Sequence, residues 1–499
     1  MAKRRNLLSP ITILMIVVVI AAIATWLVPA GRYDTLSYGD KSFVVTEDSG
    51  QVSLSFTKHT LDSLHIYITS DKFESGAIRK PVAIPGTFHL LDKNSQGFIE
   101  ILEAPVRGII DSIDIILFIL FIGGFMNVFH ETGAMVKGLS ALSYSMKGKE
   151  AWLIIILTFL FSFAGSSYGM AEEALVFYPV MVPLFLAAGY DLLVPLTVIF
   201  AGTQLGTLSS FSNPFSTIIA SNAAGVNWSD GLTERIIMFI VSTTITIWYL
   251  VRYAQKIKKD PSKSIVYQVD GVVKSPYEKI AAEIEKIEVL TSKTKLLLTL
   301  FLITFLTMIA GVIWFDWWLM EMSALFLASA ILVAVIERIK ERRFLELFIK
   351  GAENLLSVAF IVGVARGVTI VLNNGHISDS ILFYSAKLVS GMPPALFIVV
   401  LLILYMGFTL FISSSSGMAV LTMPIIGGLA VIVNVPGREI VNAYLFGMGI
   451  MGFMTPTGLI LPSLALTNVS LKAWWKFIYP LMIILFVVCA LFLIAGIYL

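Results

Sequence analysis

The chain has 499 residues, of which 57% are hydrophobic and 14% are charged, and its formal net charge is +2. Apolar runs of about 20 residues recur along it, which is the length that crosses a bilayer as a helix. This composition excludes a soluble globular enzyme or a nucleic-acid-binding protein, and it predicts an all-α polytopic membrane protein. One cysteine and five scattered histidines predict neither a disulfide framework nor a structural metal, and no cofactor is expected.

The first 97 residues predict one membrane span followed by a polar excursion. Residues 1–29 begin with a basic cluster and continue as an apolar run longer than a signal-peptide core, which predicts a transmembrane helix with a cytoplasmic N-terminus. Residues 30–97 are then extracytoplasmic. Residues 52–56 alternate with period two and Pro85-Gly86 is a turn signal, so this loop is either a small β-rich unit or a solvated loop with some strand character.

An internal repeat organises the rest of the chain. Asn127-Val-Phe-His130 recurs as Asn373-Asn-Gly-His376, and Ser166-Ser-Tyr-Gly-Met-Ala171 recurs as Ser414-Ser-Ser-Gly-Met-Ala419, at nearly the same offset. The repeats therefore cover 98–255 and 344–499. Each opens on a stretch, Phe98–Leu102 or Phe344–Phe348, that we expect to lie along the membrane surface before a spanning helix. We interpret His130 and His376 as caps near helix ends.

Each repeat contains an apolar segment that a straight helix cannot traverse. Residues 206–217 carry many hydroxyls together with Asn213 and Pro214, and residues 452–458 carry Thr455 and Thr457 around a second proline. Proline removes an N–H donor and displaces the residue before it from helical geometry. We therefore predict interrupted transmembrane helices at about 193–223 and 440–468. Paired interruptions of this kind indicate a transporter's binding site.

The distribution of Lys and Arg predicts the topology. Basic residues cluster around 137–149, 252–259 and 338–343, and these loops are therefore cytoplasmic. Consistency requires re-entrant hairpins at about 151–188 from the cytoplasm and about 393–433 from outside, so the repeats are inverted and the C-terminus is external. Residues 256–295 form a cytoplasmic linker, and 296–343 form two scaffold helices.

Three motifs also resemble a known family. Gly165–Glu173, Gly206–Phe215 and Ser416–Pro424 are similar to the YfcC-like group of basic amino-acid antiporters, allied to the anaerobic dicarboxylate carriers within the ion-transporter superfamily. The resemblance implies a secondary active transporter of the bacterial inner membrane. It also implies a homodimer, in which a scaffold domain supports a hairpin-bearing transport domain that moves as an elevator.

The predicted site combines hairpin tips, helix breaks and intramembrane charges. Glu172 and Glu173 are costly at membrane depth unless paired, protonated or bound to a cation, and Arg366 is either their partner or the anchor of a substrate carboxylate. Alternatively, the small residues only allow close helix packing. Coupling to H⁺, or to Na⁺ near Ser167, Asn213, Ser415 and Thr455, stays open. The predicted substrate- or ion-binding residues are Ser166, Ser167, Gly169, Glu172, Glu173, Ser212, Asn213, Arg366, Ser414, Ser415, Gly417, Thr455 and Thr457.

These observations predict a carrier of a small carboxylate-bearing solute. Adjacent glutamates favour a basic amino acid, moved by exchange or by ion coupling, and the alternative is an ion-coupled dicarboxylate carrier. Two further alternatives are a passive channel and an intramembrane serine hydrolase, because Gly165-Ser-Ser-Tyr-Gly169 formally matches a nucleophile motif with His130 as a base.

Overall fold

The computed structural model describes residues 10–498 apart from 40–41, 48–49, 67–69, 75–80, 146–148, 168, 272–277, 279, 282–289, 316, 318, 390, 413 and 434. Within these residues the chain is mostly helical, which confirms the predicted polytopic helical membrane class. Six helices in the described part are long and apolar enough to cross a membrane: Ile113–Glu131, Glu150–Ser167, Leu232–Lys259, Leu319–Glu337, Glu341–Asn374 and Leu471–Tyr498.

The helices are numbered here in chain order. Those up to residue 270 are α1 Pro10–Leu27, α2 Lys58–Ser63, α3 Ser70–Glu74, α4 Phe98–Asp111, α5 Ile113–Glu131, α6 Ala134–Ser145, α7 Glu150–Ser167, α8 Tyr178–Ala187, α9 Leu193–Leu196, α10 Gly202–Leu208, α11 Ile219–Ala223, α12 Leu232–Lys259 and α13 Ile265–Asp270. The later ones are α14 Ser292–Trp314, α15 Leu319–Glu337, α16 Glu341–Asn374, α17 Ser378–Val389, α18 Pro394–Thr409, α19 Ser415–Ile432, α20 Gly437–Gly452, α21 Ile460–Thr467 and α22 Leu471–Tyr498. Part of the predicted linker lies outside the described residues, and its flanking helices α12 and α14 extend to Lys259 and from Ser292.

The loop after α1 folds as a small sheet, so the chain is not all-α and the simple solvated-loop interpretation is wrong. Strands β2 Thr35–Gly39, β3 Ser42–Glu47, β4 Gly50–Leu54 and β5 Val82–Ala83 form an antiparallel sheet in the order β4-β3-β2-β5, and β1 Gly31–Arg32 pairs with β6 His89–Leu90. Leu36, Phe43 and Val82 are fully buried beneath this sheet. Aromatic packing of Phe43 against Phe56 and Phe73 supplies a core that periodicity alone does not reveal.

This sheet is attached to the second repeat. The N–H of Tyr33 donates to Asp379 Oδ2 over 2.9 Å, and the ring of Phe88 stacks on that of Phe383 with centroids 4.1 Å apart. Both partners lie on α17, which precedes the second hairpin. The excursion is therefore fixed to the helix that leads into that hairpin.

The consecutive helices α4 and α5 pack antiparallel against the long helix α16. Gly108 of α4 meets Gly363 and Gly367 of α16, and Gly123 of α5 meets Gly351, so closely that an added Cβ would come within 2.1–2.7 Å of backbone atoms. The expectation of a separate stretch before a spanning helix is wrong for Phe344–Phe348, which lies in the first two turns of the continuous α16. By contrast, Phe98–Leu102 does begin a separate helix, α4, which packs along α16, and its position along the membrane surface stays a prediction. Glycine contacts of this kind let backbones approach and hold the helices together.

The same order of elements follows in both halves. A short helix (α6 or α17) leads to a helix–turn–helix pair, α7–α8 or α18–α19. In the first half a helical segment Leu193–Leu208 ends, and the chain resumes helical geometry at Pro214. In the second half α20 ends at Gly452 and α21 begins at Ile460. A long final helix, α12 or α22, closes each half.

Candidate functional site

The first helix break is held open by its own side chains. Asn213 has non-helical backbone angles (φ −57°, ψ 119°), and its Oδ1 accepts the N–H of Phe215 at 2.8 Å and that of Ser216 at 3.3 Å. Thr217 Oγ1 donates to the carbonyl of Ser210 at 3.0 Å. Because Pro214 removes the continuous helical ladder, these polar side chains replace backbone partners that would otherwise be unsatisfied.

The first break is also bonded to the first hairpin. Ser212 Oγ donates to the carbonyl of Ser167 at 3.0 Å, and Asn213 Nδ2 donates to the carbonyl of Gly165 at 3.2 Å. Ser166 Oγ reaches the other way and donates to the carbonyl of Ser209 at 2.8 Å. The hairpin end and the break therefore form one hydrogen-bonded unit.

The second half repeats this arrangement with threonines. Thr455 Oγ1 donates to the carbonyl of Thr409 at 3.2 Å, and Thr457 Oγ1 donates to the carbonyl of Leu410 at 3.3 Å. Both carbonyls belong to the end of the first arm of the second hairpin. The halves meet where Ser415 Oγ approaches the carbonyl of Phe215 at 3.4 Å.

The two units, together with α4, α5 and α16, line a cavity of about 500 Å³. Nine of the thirteen predicted site residues line it: Gly169, Glu172, Glu173, Asn213, Arg366, Ser414, Ser415, Thr455 and Thr457. Gly169 has φ +88°, and an added Cβ there would lie 2.7 Å from Asn213 Oδ1. Glycine is therefore needed at this tip both for its backbone angle and for the approach of Asn213.

The other four predicted residues are not among those that line the cavity. Ser166 and Ser212 bond to backbone between the hairpin and the break, as described above, and Ser167 Oγ donates within its own helix to the carbonyl of Phe163 at 2.7 Å. The backbone N–H of Gly417 donates to Ser414 Oγ at 3.1 Å. In this conformation these groups maintain the fold around the cavity.

Two acidic residues that the sequence reasoning missed complete the charged lining. Asp111 and Asp114 line the cavity with Glu172 and Glu173, from the junction of α4 and α5. Glu173 is buried, and its Oε2 accepts the N–H of Ala171 at 2.9 Å. The available signal was two aspartates next to an otherwise apolar segment, which is the usual mark of an intramembrane functional site.

Arg366 is not paired with the glutamates. Among the described residues that line the cavity it is the one basic side chain, and its Nε contacts Asp111 Oδ2. The prediction of Glu172 or Glu173 as its ion-pair partner is therefore wrong. The packing of α4 against α16 places Asp111, and not the glutamates, beside Arg366.

Uncharged polar groups were missed as well. Gln204 and Thr207 line the cavity from α10, where their spacing of three residues puts them on one helix face. Thr409 lines it from the end of α18.

Comparison with known proteins assigns the family. The sequence profile described as "DcuC: C4-dicarboxylate anaerobic carrier" matches residues 7–498. The chain belongs to this family. It is 38% identical over 498 residues to an uncharacterized protein of Haemophilus influenzae, covering 99% of this chain and 98% of the relative. It is 27% identical over 514 residues to the putative basic amino acid antiporter YfcC of Escherichia coli, covering 99% and 97%. The predicted resemblance to the YfcC-like group is confirmed.

Two solved structures align along most of the chain. MtrF of Neisseria gonorrhoeae, from a study of a class of antimetabolite efflux pumps, is 14% identical with a TM-score of 0.39, covering 99% of this chain and 96% of that one. The YdaH transporter of Alcanivorax borkumensis is 11% identical with a TM-score of 0.40, covering 98% of each. The family assignment makes this chain a membrane transporter and excludes the hydrolase alternative.

Proposed function

We propose that this transporter moves a basic amino acid, a zwitterion with one further cationic group. The observation that carries the proposal is the charge of the cavity lining, which places four carboxylates against one arginine. That arginine is itself in contact with Asp111. A solute carrying extra positive charge would reduce repulsion among these carboxylates, whereas a diacid would add to it.

The first helix break also favours a cation over an anion. The N-terminus of a half-helix attracts anions through its free N–H groups. Here Asn213 Oδ1 already accepts the N–H groups of Phe215 and Ser216. A carboxylate at this position would have to displace the side chain of Asn213.

An ion-coupled dicarboxylate carrier is the second candidate, supported by the description of the family and by Arg366 in the lining. Glu172 and Glu173 would then serve cation coupling. For the ions, the carbonyls of Gly165, Ser167 and Thr409 accept hydrogen bonds. Because these carbonyl oxygens are already hydrogen-bonded, coupling to H⁺ on the glutamates is favoured over Na⁺ binding at the predicted positions.

Uptake into proteoliposomes tests the substrate. We expect Glu172→Gln and Glu173→Gln to slow uptake of arginine, ornithine and lysine by about tenfold, the effect of losing roughly 1.4 kcal/mol of solute interaction, and to change neutral amino acids less. Glu103→Gln is a matched control, because Glu103 pairs with Arg107 outside the cavity lining. Faster uptake of a diacid by the Gln variants would instead support the dicarboxylate carrier.

We further propose an elevator in which hairpins and breaks move together against α5 and α16. Supporting the topology, Lys258 at the basic end of α12 pairs with Glu150 at the start of the first hairpin over 3.0 Å. At the other end of α12, Glu234 lies 3.6 Å from Arg438. Arg438 in turn approaches the carbonyl of Gly496 near the C-terminus. The N-terminus and the first hairpin then open to the cytoplasm, and the C-terminus lies outside.

Cysteine labelling tests this topology in the bacterial inner membrane. Cys489 is buried and gives little background. Cysteines introduced at Lys149 and Gly437 should label from opposite faces, and labelling from one face contradicts the inverted repeat. Crosslinking in native membranes tests the proposed homodimer, which a monomer-only result contradicts.

A further inference from the structure

The ion pair between Arg366 and Asp111 is held in place by rigid packing. Gly108 lies one helical turn before Asp111, and Gly363 and Gly367 flank Arg366 on α16. A Cβ on Gly108 would come 2.1 Å from the carbonyl oxygen of Gly363, so the backbones are in contact. The partners therefore stay adjacent without either helix having to move.

Both side chains nevertheless reach the cavity. The side chain of Arg366 is 31% exposed and that of Asp111 is 47% exposed, and both line the cavity. The pair is thus accessible to a solute on both sides, whereas in the pair of Arg438 with Glu439 the carboxylate is fully buried. A carboxylate on the solute has the same chemistry as the side chain of Asp111 and can form the same contact with the guanidinium.

The side of the cavity formed by the first hairpin and the start of α5 is acidic. Glu172 and Glu173 come from the end of the first hairpin, and Asp114 comes from the start of α5. A basic amino acid would meet a guanidinium on α16 with its carboxylate and these carboxylates with its cationic group.

We propose that Asp111 holds Arg366 in the empty cavity as a substitute for the solute's carboxylate, and that binding exchanges one carboxylate for the other. This inference rests on the proposed function for the identity of the solute. The exchange keeps Arg366 paired throughout, so the guanidinium is at no stage left without a carboxylate partner. Because Asp111 is attached beside Arg366, it competes at a high effective concentration and promotes release.

The displaced Asp111 has a second effect. Once freed from Arg366, its carboxylate adds to the negative charge of Asp114 and the glutamates. A cationic group is then attracted more strongly just when the carboxylate is captured. The pair therefore selects solutes that carry both groups over those that carry one.

A pair of probes isolates the exchange: ornithine and putrescine, which is ornithine without its carboxylate. Binding to the purified full-length protein is measured by calorimetry. Asp111→Asn should tighten ornithine by up to about fivefold, the upper range for a partly exposed ion pair, because losing the contact that competes for Arg366 outweighs losing the more distant attraction of Asp111 for the cationic group, and it should not tighten putrescine. Arg366→Gln should weaken ornithine toward the affinity of putrescine, and adding Asp111→Asn to it should give no further gain for ornithine.

Asp114→Asn is the matched control, because Asp114 lines the same cavity without contacting Arg366 and its loss should weaken both probes. An unchanged or weaker ornithine affinity in Asp111→Asn overturns the proposal, and Asp111→Ser replaces that variant if it misfolds. If neither ornithine nor putrescine binds but succinate does, the proposed function fails. The exchange then stands if Asp111→Asn tightens succinate through Arg366, and falls if it does not.

Discussion

Gly169 offers a sharp test of the structure around the cavity, because a matched glycine isolates its packing from its backbone angle. Gly169 has φ +88° and Gly189 has φ +82°, so alanine at either position meets the same left-handed penalty of about 1–2 kcal/mol. An added Cβ on Gly169 would lie 2.7 Å from Asn213 Oδ1 and 2.8 Å from its Nδ2, whereas nothing lies within 4 Å of a Cβ on Gly189.

The overlap at Gly169 adds the cost of overpacking, about 1–3 kcal/mol. We expect Gly169→Ala to lower the unfolding temperature of the detergent-purified protein clearly more than Gly189→Ala does. Transport in proteoliposomes should be lost in the first variant and retained in the second. Equal unfolding temperatures and equal transport would refute the close contact between the hairpin tip and the first break.

Asn213→Ala removes the cap of the half-helix and the bond to Gly165, together about 2 kcal/mol, so hydrogen exchange at the amides of Phe215 and Ser216 should rise by about 30-fold; a change under threefold contradicts these bonds. Thr455→Val removes the hydroxyl that donates to the carbonyl of Thr409, so amide hydrogen exchange at the end of α18 should become faster. Burial raises the pKa of Asp379, so the stability contributed by its protonation is complete below the ordinary pKa of about 3.9 and is lost as pH rises through the raised value. Asp379→Asn should therefore gain stability relative to the natural chain as pH rises from about 4 through the raised pKa, and parallel stability curves would contradict this.

The helix breaks were predictable because their signals are local. Pro214 and Pro456 interrupt apolar runs, and a proline acts on its own turn whatever surrounds it. The repeat also indicated that the two breaks form one site, and nine of the thirteen residues predicted for that site line the cavity between them. The hydroxyls of Ser166 and Ser212 were assigned to a ligand because sequence shows that a hydroxyl needs a partner but not which carbonyl it will reach.

The partner of Arg366 was not predictable in the same way. Asp111 is 255 positions away in sequence, and the two meet only because glycines let α4 pack against α16.

Hydrogen bonds and charged groups lie in different places around the cavity and have different proposed roles. Neutral hydroxyls and amides join each hairpin to its own break, so we expect each joined pair to move as one body. The charged groups are divided, with Glu172 on a hairpin and Arg366 with Asp111 on the helices beside it. In the proposed elevator, hydrogen bonds within a moving body need not break, whereas charges on facing surfaces exchange partners as those surfaces slide. A solute that supplies both a carboxylate and a cation would complete that exchange, and this links the charge pattern of the cavity to the proposed selection of the cargo.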